Sequence, residues 1–530
     1  MIGAALRLWQ YLANSSLWID ELALSRNILD RSFLALLGPL DYAQVAPIGF
    51  LLIEKGATFL FGTSEYALRA FPLVCGLAAL VLVRAVALRV LSGWAVPFAV
   101  GLVSLGIPCI YFSSQVKQYS SDIAAALFVL WAALEVRRRG VTVRRALWLG
   151  IGGAVTGWFS QAALIVMAGI GAGQLILALV ERDGAAARRL FVTWALWAAA
   201  AAGVAAHSLS NVSALDREYF RWFWADGFMP MPPHRISDLF WLPRKLIWVF
   251  GKFELGLGRM DGGLSYRWSP VFALVMAWGF WVLWRRQRDA ALFLLLPVIV
   301  CVGLSAVSLY PFTARVMAFL VPSFLLATAA GTAHILKNLP DRWQFLSPFI
   351  MAVLGGAPIY AAATALPPSW LQHVRPVIQH VNERLLPGDK IFVFYGAGPA
   401  FGYYAPRLGI PAESVISGHC RFEDPRGYLR DLDRLRGSKR VWVVATHLLR
   451  TGELDMITGY LDQIGHRLDV VIVPGTRSGQ IGAAYGYLYD LSDRDRLAST
   501  TAETFDQVLA PVTGPWRFWG CYGIVAQPRY

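Results

Sequence analysis

Ala290–Tyr310 reads AALFLLLPVIVCVGLSAVSLY, and Val316–Leu336 reads VMAFLVPSFLLATAAGTAHIL. The first run meets a charge only at its edge, Asp289, and the second contains no Asp, Glu, Lys or Arg. An apolar run of about 18 residues or more is long enough to cross a hydrocarbon core as a helix. Composition points the same way. The 530 residues are 56% hydrophobic and only 15% charged, with a mean hydropathy of +0.50. A soluble protein carries roughly 25% charged residues. The 21 tryptophans suit anchoring at two bilayer surfaces.

Working outward from these two runs, spans fall near 1–17, 70–91, 94–112, 120–137, 146–160, 161–180, 190–210, 270–284, 290–310, 315–336 and 345–366. The expected fold is a polytopic α-helical membrane protein of about eleven spans. If each span reverses the chain, one compartment collects most of the arginines. They are Arg84 and Arg89, then Arg137, Arg138, Arg139, Arg144 and Arg145, then Arg182, Arg188 and Arg189, and later Arg285, Arg286, Arg288, Lys337 and Arg342. The positive-inside rule makes that side the cytoplasm. The net charge of +14 therefore has a topological cause. No basic reading module accompanies it, which argues against nucleic acid as a partner.

The other side receives 18–69, Ser113–Tyr119, 211–268, Tyr310–Arg315 and everything after about 367. The 211–268 loop balances its basic residues with Asp216, Glu218, Asp226, Asp238, Glu254 and Asp261. Three spans are awkward. The pair at 146–180 has only Trp158–Gln161 as a turn, so a re-entrant hairpin is the alternative. Arg7 sits inside the first span, where a charge is costly. Either that helix begins upstream of Met1, or it is tilted and Arg7 snorkels.

Residues 22–62 are too polar to span and fit helices lying in the interface of the first outside loop. After Pro367-Pro368 the character changes. A polar helix at Val374–Leu385 precedes β-rich runs at Lys390–Tyr395, Lys439–Ala445 and Val470–Val473, a pattern of a C-terminal α/β soluble domain. The expected domains are therefore 1–366 in the membrane and 367–530 outside it. Gly396 and Gly398 look like part of a phosphate loop, but GxGxxG is not completed, and a tight strand-to-helix turn is the simpler reading. Cys75, Cys109 and Cys301 lie in apolar stretches as small core residues. Cys420 and Cys521 can pair if their domain faces an oxidising compartment.

The candidate chemistry lies in the outside loops. Asp20-Glu21 follows the first span directly, in Leu17-Trp18-Ile19-Asp20-Glu21. One carboxylate is a candidate base and its neighbour a supporting group, whereas the bland reading makes Asp20 a helix N-cap. Arg69 opens the second span, Lys117 lies in Ser113–Asp122, and Arg315 ends Tyr310–Arg315. Guanidinium and ammonium groups at such a mouth suit a phosphate. Tyr119 and Asp122 are candidates for the same cavity. Asp20 and Asp122 also offer oxygen ligands to a divalent metal, which leaves that cofactor open without any histidine to support it.

The segments SLWIDE, APIGFLLIEKGATFLFGTSEYALRAFP, SSQVKQYSSD and LYPFTARVMAFLVP occur in this order between Ser16 and Pro322. Together they resemble glycosyltransferase family 39, the GT-C membrane enzymes that include bacterial relatives of protein O-mannosyltransferases and the aminoarabinose transferase of lipid A. PGDKIFVFYGAGPAFGYYAP, from Pro387, is similar to the soluble part of many members. The resemblance implies that a hexose or pentose moves, with inversion, from a polyprenyl-phosphate donor to a hydroxyl of a glycan, lipid or protein acceptor. It implies that this happens on the outer face of a bacterial cytoplasmic (inner) membrane. It implies Asp20 as the catalytic acid–base residue with Glu21 beside it, and Lys117, Arg315 and Arg69 as donor-phosphate ligands. Ala46 stands where the aminoarabinose branch has lysine, which argues against that particular reaction. A transporter or flippase of a lipid-linked glycan, and a non-catalytic binder of one, are the rival classes. Few midplane charges and no obvious repeat argue against the transport reading.

Overall fold

The structure is a computed structural model that describes residues 1–251, 264–364, 368–421, 424–449, 452–476, 479–507 and Cys521. Glu254, Asp261 and the boundary placed at 366/367 lie outside the described residues. Two compact units emerge. The helical unit comprises 1–13, 31–39 and 45–367. The second comprises 14–30, 40–44 and 368–530. Residues 14–30, which carry Asp20, thus pack with the C-terminal part although they lie far from it in sequence.

In the helical unit, six described helices are long and apolar enough to cross a membrane. They are Glu65–Val90, Tyr119–Arg139, Gln161–Val180, Gly184–Asn211, Arg288–Ala306 and Arg315–Lys337. A seventh span results if Ala95–Leu105 and Ile107–Ser114, bent by 59°, are one crossing. Helices also stand at the four remaining expected places: Ile2–Leu12, Val143–Phe159, Leu264–Arg286 and Ser347–Thr364. The first two have only 11 and 17 residues.

The bend explains Arg7. Where Ala95–Leu105 breaks at Gly106, its last carbonyls lose their helical donors. Arg7 is sealed from solvent and donates to the carbonyls of Ser104 and Val103, each at 3.3 Å, and to its own Gly3 at 2.9 Å. It closes a broken helix rather than snorkelling.

The short pair at 146–180 forms a tight hairpin. Only Ser160 separates the helices Val143–Phe159 and Gln161–Val180. Its hydroxyl donates to Asp122 Oδ1 at 2.5 Å, and it caps the second helix by accepting from the Ala163 amide. Asp122 lies in the first turn of Tyr119–Arg139. At the far end of that helix, Arg137 pairs with Glu181, just past Gln161–Val180, and the Arg189 guanidinium reaches the Val141 carbonyl. The hairpin therefore runs the whole length of Tyr119–Arg139, about 30 Å at 1.5 Å per residue, not a shallow fraction of it.

The same far end gathers other arginines. Arg89 meets Glu135 at 2.5 Å, Glu135 also takes Arg139, and Arg137 lies 3.6 Å from Asp289. Helices that the sequence sends toward one compartment thus end together. Elsewhere Leu264–Arg286 and Val321–Lys337 cross at Gly279 and Gly331. A methyl added to Gly279 would fall 1.7 Å from the Ala327 carbonyl oxygen, so the backbones touch.

The second unit is built on a five-stranded sheet of order β2-β1-β3-β5-β4, where β1 is Lys390–Val393, β2 Val415–Ser417, β3 Val441–Thr446, β4 His466–Val473 and β5 Ala484–Asp490. β1 runs parallel to β2 and β3, with Phe392 beside Val443, and β5 runs antiparallel to β3 and β4. β2 and β5 are additional to the three strands expected. Aromatic and aliphatic side chains, including Phe394, Tyr428, Val443, Tyr460 and Tyr489, form the core on the sheet. Cys420 and Cys521 form a disulfide across 101 residues of sequence. Gly396 lies in a single 3-10 turn between β1 and the helix Gly398–Tyr404, and a methyl there would sit 2.6 Å from the Thr446 carbonyl oxygen. The glycine is needed for close approach to the end of β3, so the strand-to-helix turn is the reading that holds.

Candidate functional site

Lys117, Tyr119, Asp122, Arg69 and Arg315 belong to the helical unit, and Asp20 and Glu21 to the other. In the helical unit the stretch Ser113–Asp122 is not a surface loop. Ser113, Ser114, Gln115, Lys117, Ser120, Ser121 and Asp122 are all buried. Buried polar groups need partners, and this stretch finds many locally. Ser113 donates to the Ile110 carbonyl at 2.6 Å, Ser121 to Gln118 at 2.7 Å, and Ser120 to Pro72 at 2.9 Å.

Tyr119 and Arg315 meet directly. The Arg315 Nε donates to the Tyr119 hydroxyl at 2.8 Å. The guanidinium also lies 5.2 Å from the Trp224 ring centre and 6.0 Å from that of Phe223. Both rings follow from the amphipathic helix Ala214–Phe223, whose N-terminus is closed by a Ser213–Asp216 capping box. Phe112 packs on Tyr119 with ring centres 4.9 Å apart. A guanidinium stacked on aromatics keeps its charge while its planar edge is held in place. Lys117, two residues from Tyr119, is buried in the same stretch. Arg69 is buried too, so it does not reach outward from the opening turns of Glu65–Val90.

One nearby cation was not singled out from sequence. Lys245 is buried, with its ammonium 2.9 Å from Asp226 Oδ2 and 3.0 Å from Thr313 Oγ1. It lies in the 211–268 loop, whose basic residues are weighed from sequence only against its acidic ones.

In the second unit, a helix begins at Ile19 and runs to Asp30. Asp20 is thus in its first turn and is not the N-cap. Glu21 serves the helix start instead, since its buried Oε2 accepts the Trp18 amide at 3.4 Å. Asp20 stays partly exposed. The two acids, about 100° apart on the helix, therefore divide into an inward structural group and an outward one.

Side chains from beyond residue 368 take the neighbouring amides. Ser16 N donates to His373 Nδ1 at 2.9 Å, Leu17 N to the Tyr404 hydroxyl at 2.8 Å, and Ile19 N to Gln372 Oε1 at 3.2 Å. Gln372 Nε2 donates in turn to His447 Nδ1 at 2.6 Å and to the Ile481 carbonyl at 3.2 Å. None of these four residues stood out in the sequence, because each lies hundreds of positions from Ile19. A sliver of His447 meets solvent, yet desolvation by the surrounding protein pulls its imidazole down to about 4, against the opposing field of Asp20.

Among the described residues no group of three or more His, Cys, Asp and Glu side chains is arranged to hold a metal. Asp20 and Asp122, the pair considered for one, fall in different units.

Neither a protein-family profile nor a curated protein sequence matches the chain. Solved structures do. The Archaeoglobus fulgidus oligosaccharyltransferase in complex with Zn and sulfate aligns over 93% of this chain and 73% of its own, at 13% identity and a TM-score of 0.50. ArnT from Cupriavidus metallidurans bound to undecaprenyl phosphate aligns over 92% and 96%, at 12% identity and a TM-score of 0.46. The archaeal oligosaccharyltransferase AglB with an inhibitory peptide and a dolichol-phosphate aligns over 92% and 73%, at 11% identity and 0.47. The chain has the GT-C fold of membrane glycosyltransferases.

Proposed function

We propose that the chain is a glycosyltransferase that moves a sugar from a polyprenyl-phosphate donor to an acceptor hydroxyl, with inversion. Arg315 carries the reading: a cation held on Tyr119 and two aromatic rings, at the bundle end opposite the Arg89 and Arg137 ion pairs. In a GT-C fold such a group suits a lipid phosphate. In this reading the acceptor oxygen attacks the anomeric carbon while Asp20 takes its proton. The glycosidic bond electrons leave with the lipid phosphate, whose charge Arg315, Lys117 and Arg69 neutralise as the bond breaks. Asp122, held by Ser160, and Tyr119 shape the cavity. Glu21 supports the helix bearing Asp20.

The arginine-rich end is assigned to the cytoplasm by the positive-inside rule. About eleven crossings and the outer position of the C-terminal domain follow, in a bacterial inner membrane, with the helices of the first outside loop in the interface. The paired Cys420 and Cys521 suit that oxidising side. The test is transfer from labelled polyprenyl-phosphate sugar in membranes holding the wild type or Arg315→Ala. A loss of about tenfold or more supports the reading, and unaltered transfer overturns the role of Arg315.

A further inference from the structure

In an open α/β sheet the crevice outside the carboxyl ends of the parallel strands, where the chain order reverses, is the usual ligand site. Here β2 lies on one side of β1 and β3 on the other, so the reversal falls at β1. Tyr404 closes the helix that follows β1, and His447 is the residue after β3. Both side chains belong to the set that holds residues 16–19. His447, at that edge, holds Gln372, one of the side chains that take the amides of residues 16–19.

A helix start leaves orphan amides. From Ser16 to Ile19 every amide donates to a side chain, three of them from His373, Tyr404 and Gln372 and one from Glu21. Ile19 is the residue before Asp20. The Gln372 amide that accepts from it has one allowed orientation. The Ile19 N–H can only donate and the Ile481 carbonyl can only accept, so the amide oxygen faces Ile19 and the NH2 group faces Ile481 and His447 Nδ1. His447 Nδ1 must then be the acceptor, which leaves the ring proton on Nε2. Two further features fix the pair. Gln372 N donates to the Gly482 carbonyl at 2.6 Å, and Thr446 Oγ1 to that of Ala483 at 2.7 Å.

We infer that His447 is a positioning residue for Asp20: by accepting from Gln372 it sets the Gln372 amide, which sets the Ile19 backbone from which Asp20 projects. The inference rests on Asp20 being the catalytic base. It gives the C-terminal domain a task, that of holding the helix start.

The full-length protein in membranes, with labelled polyprenyl-phosphate sugar, tests it through four variants. His447→Leu removes the acceptor. It is expected to lower kcat by about tenfold to a hundredfold, the range for a displaced supporting group, with donor KM within about twofold. His447→Asn keeps an acceptor at the Nδ1 position and is expected to recover most of kcat. Gln372→Leu is expected to match His447→Leu, which keeps the test decisive if one variant misfolds. Asp20→Asn is the reference. If it abolishes transfer while His447→Leu and Gln372→Leu keep wild-type kcat, positioning is overturned and the role of Asp20 stands. A KM increase with unchanged kcat also overturns positioning. If Asp20→Asn transfers like the wild type, the underlying reading of Asp20 falls instead.

Discussion

The Arg315 Nε donates to the Tyr119 hydroxyl at 2.8 Å, joining the turn before one long helix to the first residue of another. Tyr119→Phe removes the acceptor but leaves the ring against Phe112. It should weaken donor use by a few fold, about the loss of one charge-assisted hydrogen bond shared with other contacts. Arg315→Lys should do worse, because an ammonium cannot stack on Trp224 and Phe223 while reaching Tyr119. Steady-state transfer at varied donor concentration checks both; equal activity of lysine and arginine would count against the geometry.

Ser160 both caps Gln161–Val180 and donates to Asp122. Ser160→Ala should therefore destabilise the helical unit by about 2–5 kcal/mol, the sum of a lost cap and a buried carboxyl short of a donor. The thermal midpoint of the purified protein in detergent is the measurement. Asp122→Asn keeps a partner for the hydroxyl and should cost less.

Gly279→Ala should be more damaging than its size suggests. The added methyl meets the Ala327 carbonyl oxygen at 1.7 Å, and the facing atoms are backbone that cannot rotate away. Overpacking of this kind costs about 1–3 kcal/mol or more. Thermal unfolding beside Gly303→Ala, where a methyl meets open space, isolates the effect from glycine loss itself.

The Cys420–Cys521 bond closes a segment of 101 residues. Loop-closure entropy for that length is worth about 4–5 kcal/mol in the unfolded chain. Reduction should lower the thermal midpoint of the purified protein. Alkylation under denaturing, non-reducing conditions should label Cys75, Cys109 and Cys301 alone, and all five cysteines after reduction.

His447 supplies a pH dependence. Its folded pKa, about 4, lies below the usual histidine value of about 6.5. Between these values the unfolded chain binds the proton and the folded one does not. The stability it contributes is therefore full above about 6.5 and is lost as pH falls toward 4. Hydrogen–deuterium exchange at the imidazole C2 position, followed by mass spectrometry of the His447 peptide, should give a midpoint near 4. A midpoint near 6.5 would contradict the enclosed ring.

Much of the helical unit was legible because spanning helices declare themselves by length and apolarity, and Val316–Leu336 needs no partner to be read. Even the Trp158–Gln161 corner was visible. Its partner Asp122 was not, since nothing in a sequence pairs positions 38 residues apart. β5 was missed because Ala484–Asp490, AYGYLYD, lacks β-branched residues, and β2 because it has three residues. Asp20 and Glu21 were legible as an acidic pair beside a helix. The family resemblance set Glu21 beside Asp20 as the supporting acid, but that Glu21 turns inward under Trp18 was not legible, because it depends on how the helix starts. Gln372, His373, Tyr404 and His447 were invisible for the same reason as Asp122: only folding brings them to Ser16–Ile19.

The most direct test of the central claim follows the label. Purified protein in proteoliposomes is given polyprenyl-phosphate sugar labelled in the sugar, together with an envelope extract as acceptor. Wild-type protein should move label from lipid to acceptor, and Asp20→Asn should leave it on the lipid. Equal transfer by both proteins, or label that crosses the bilayer while still attached to lipid, would contradict the account.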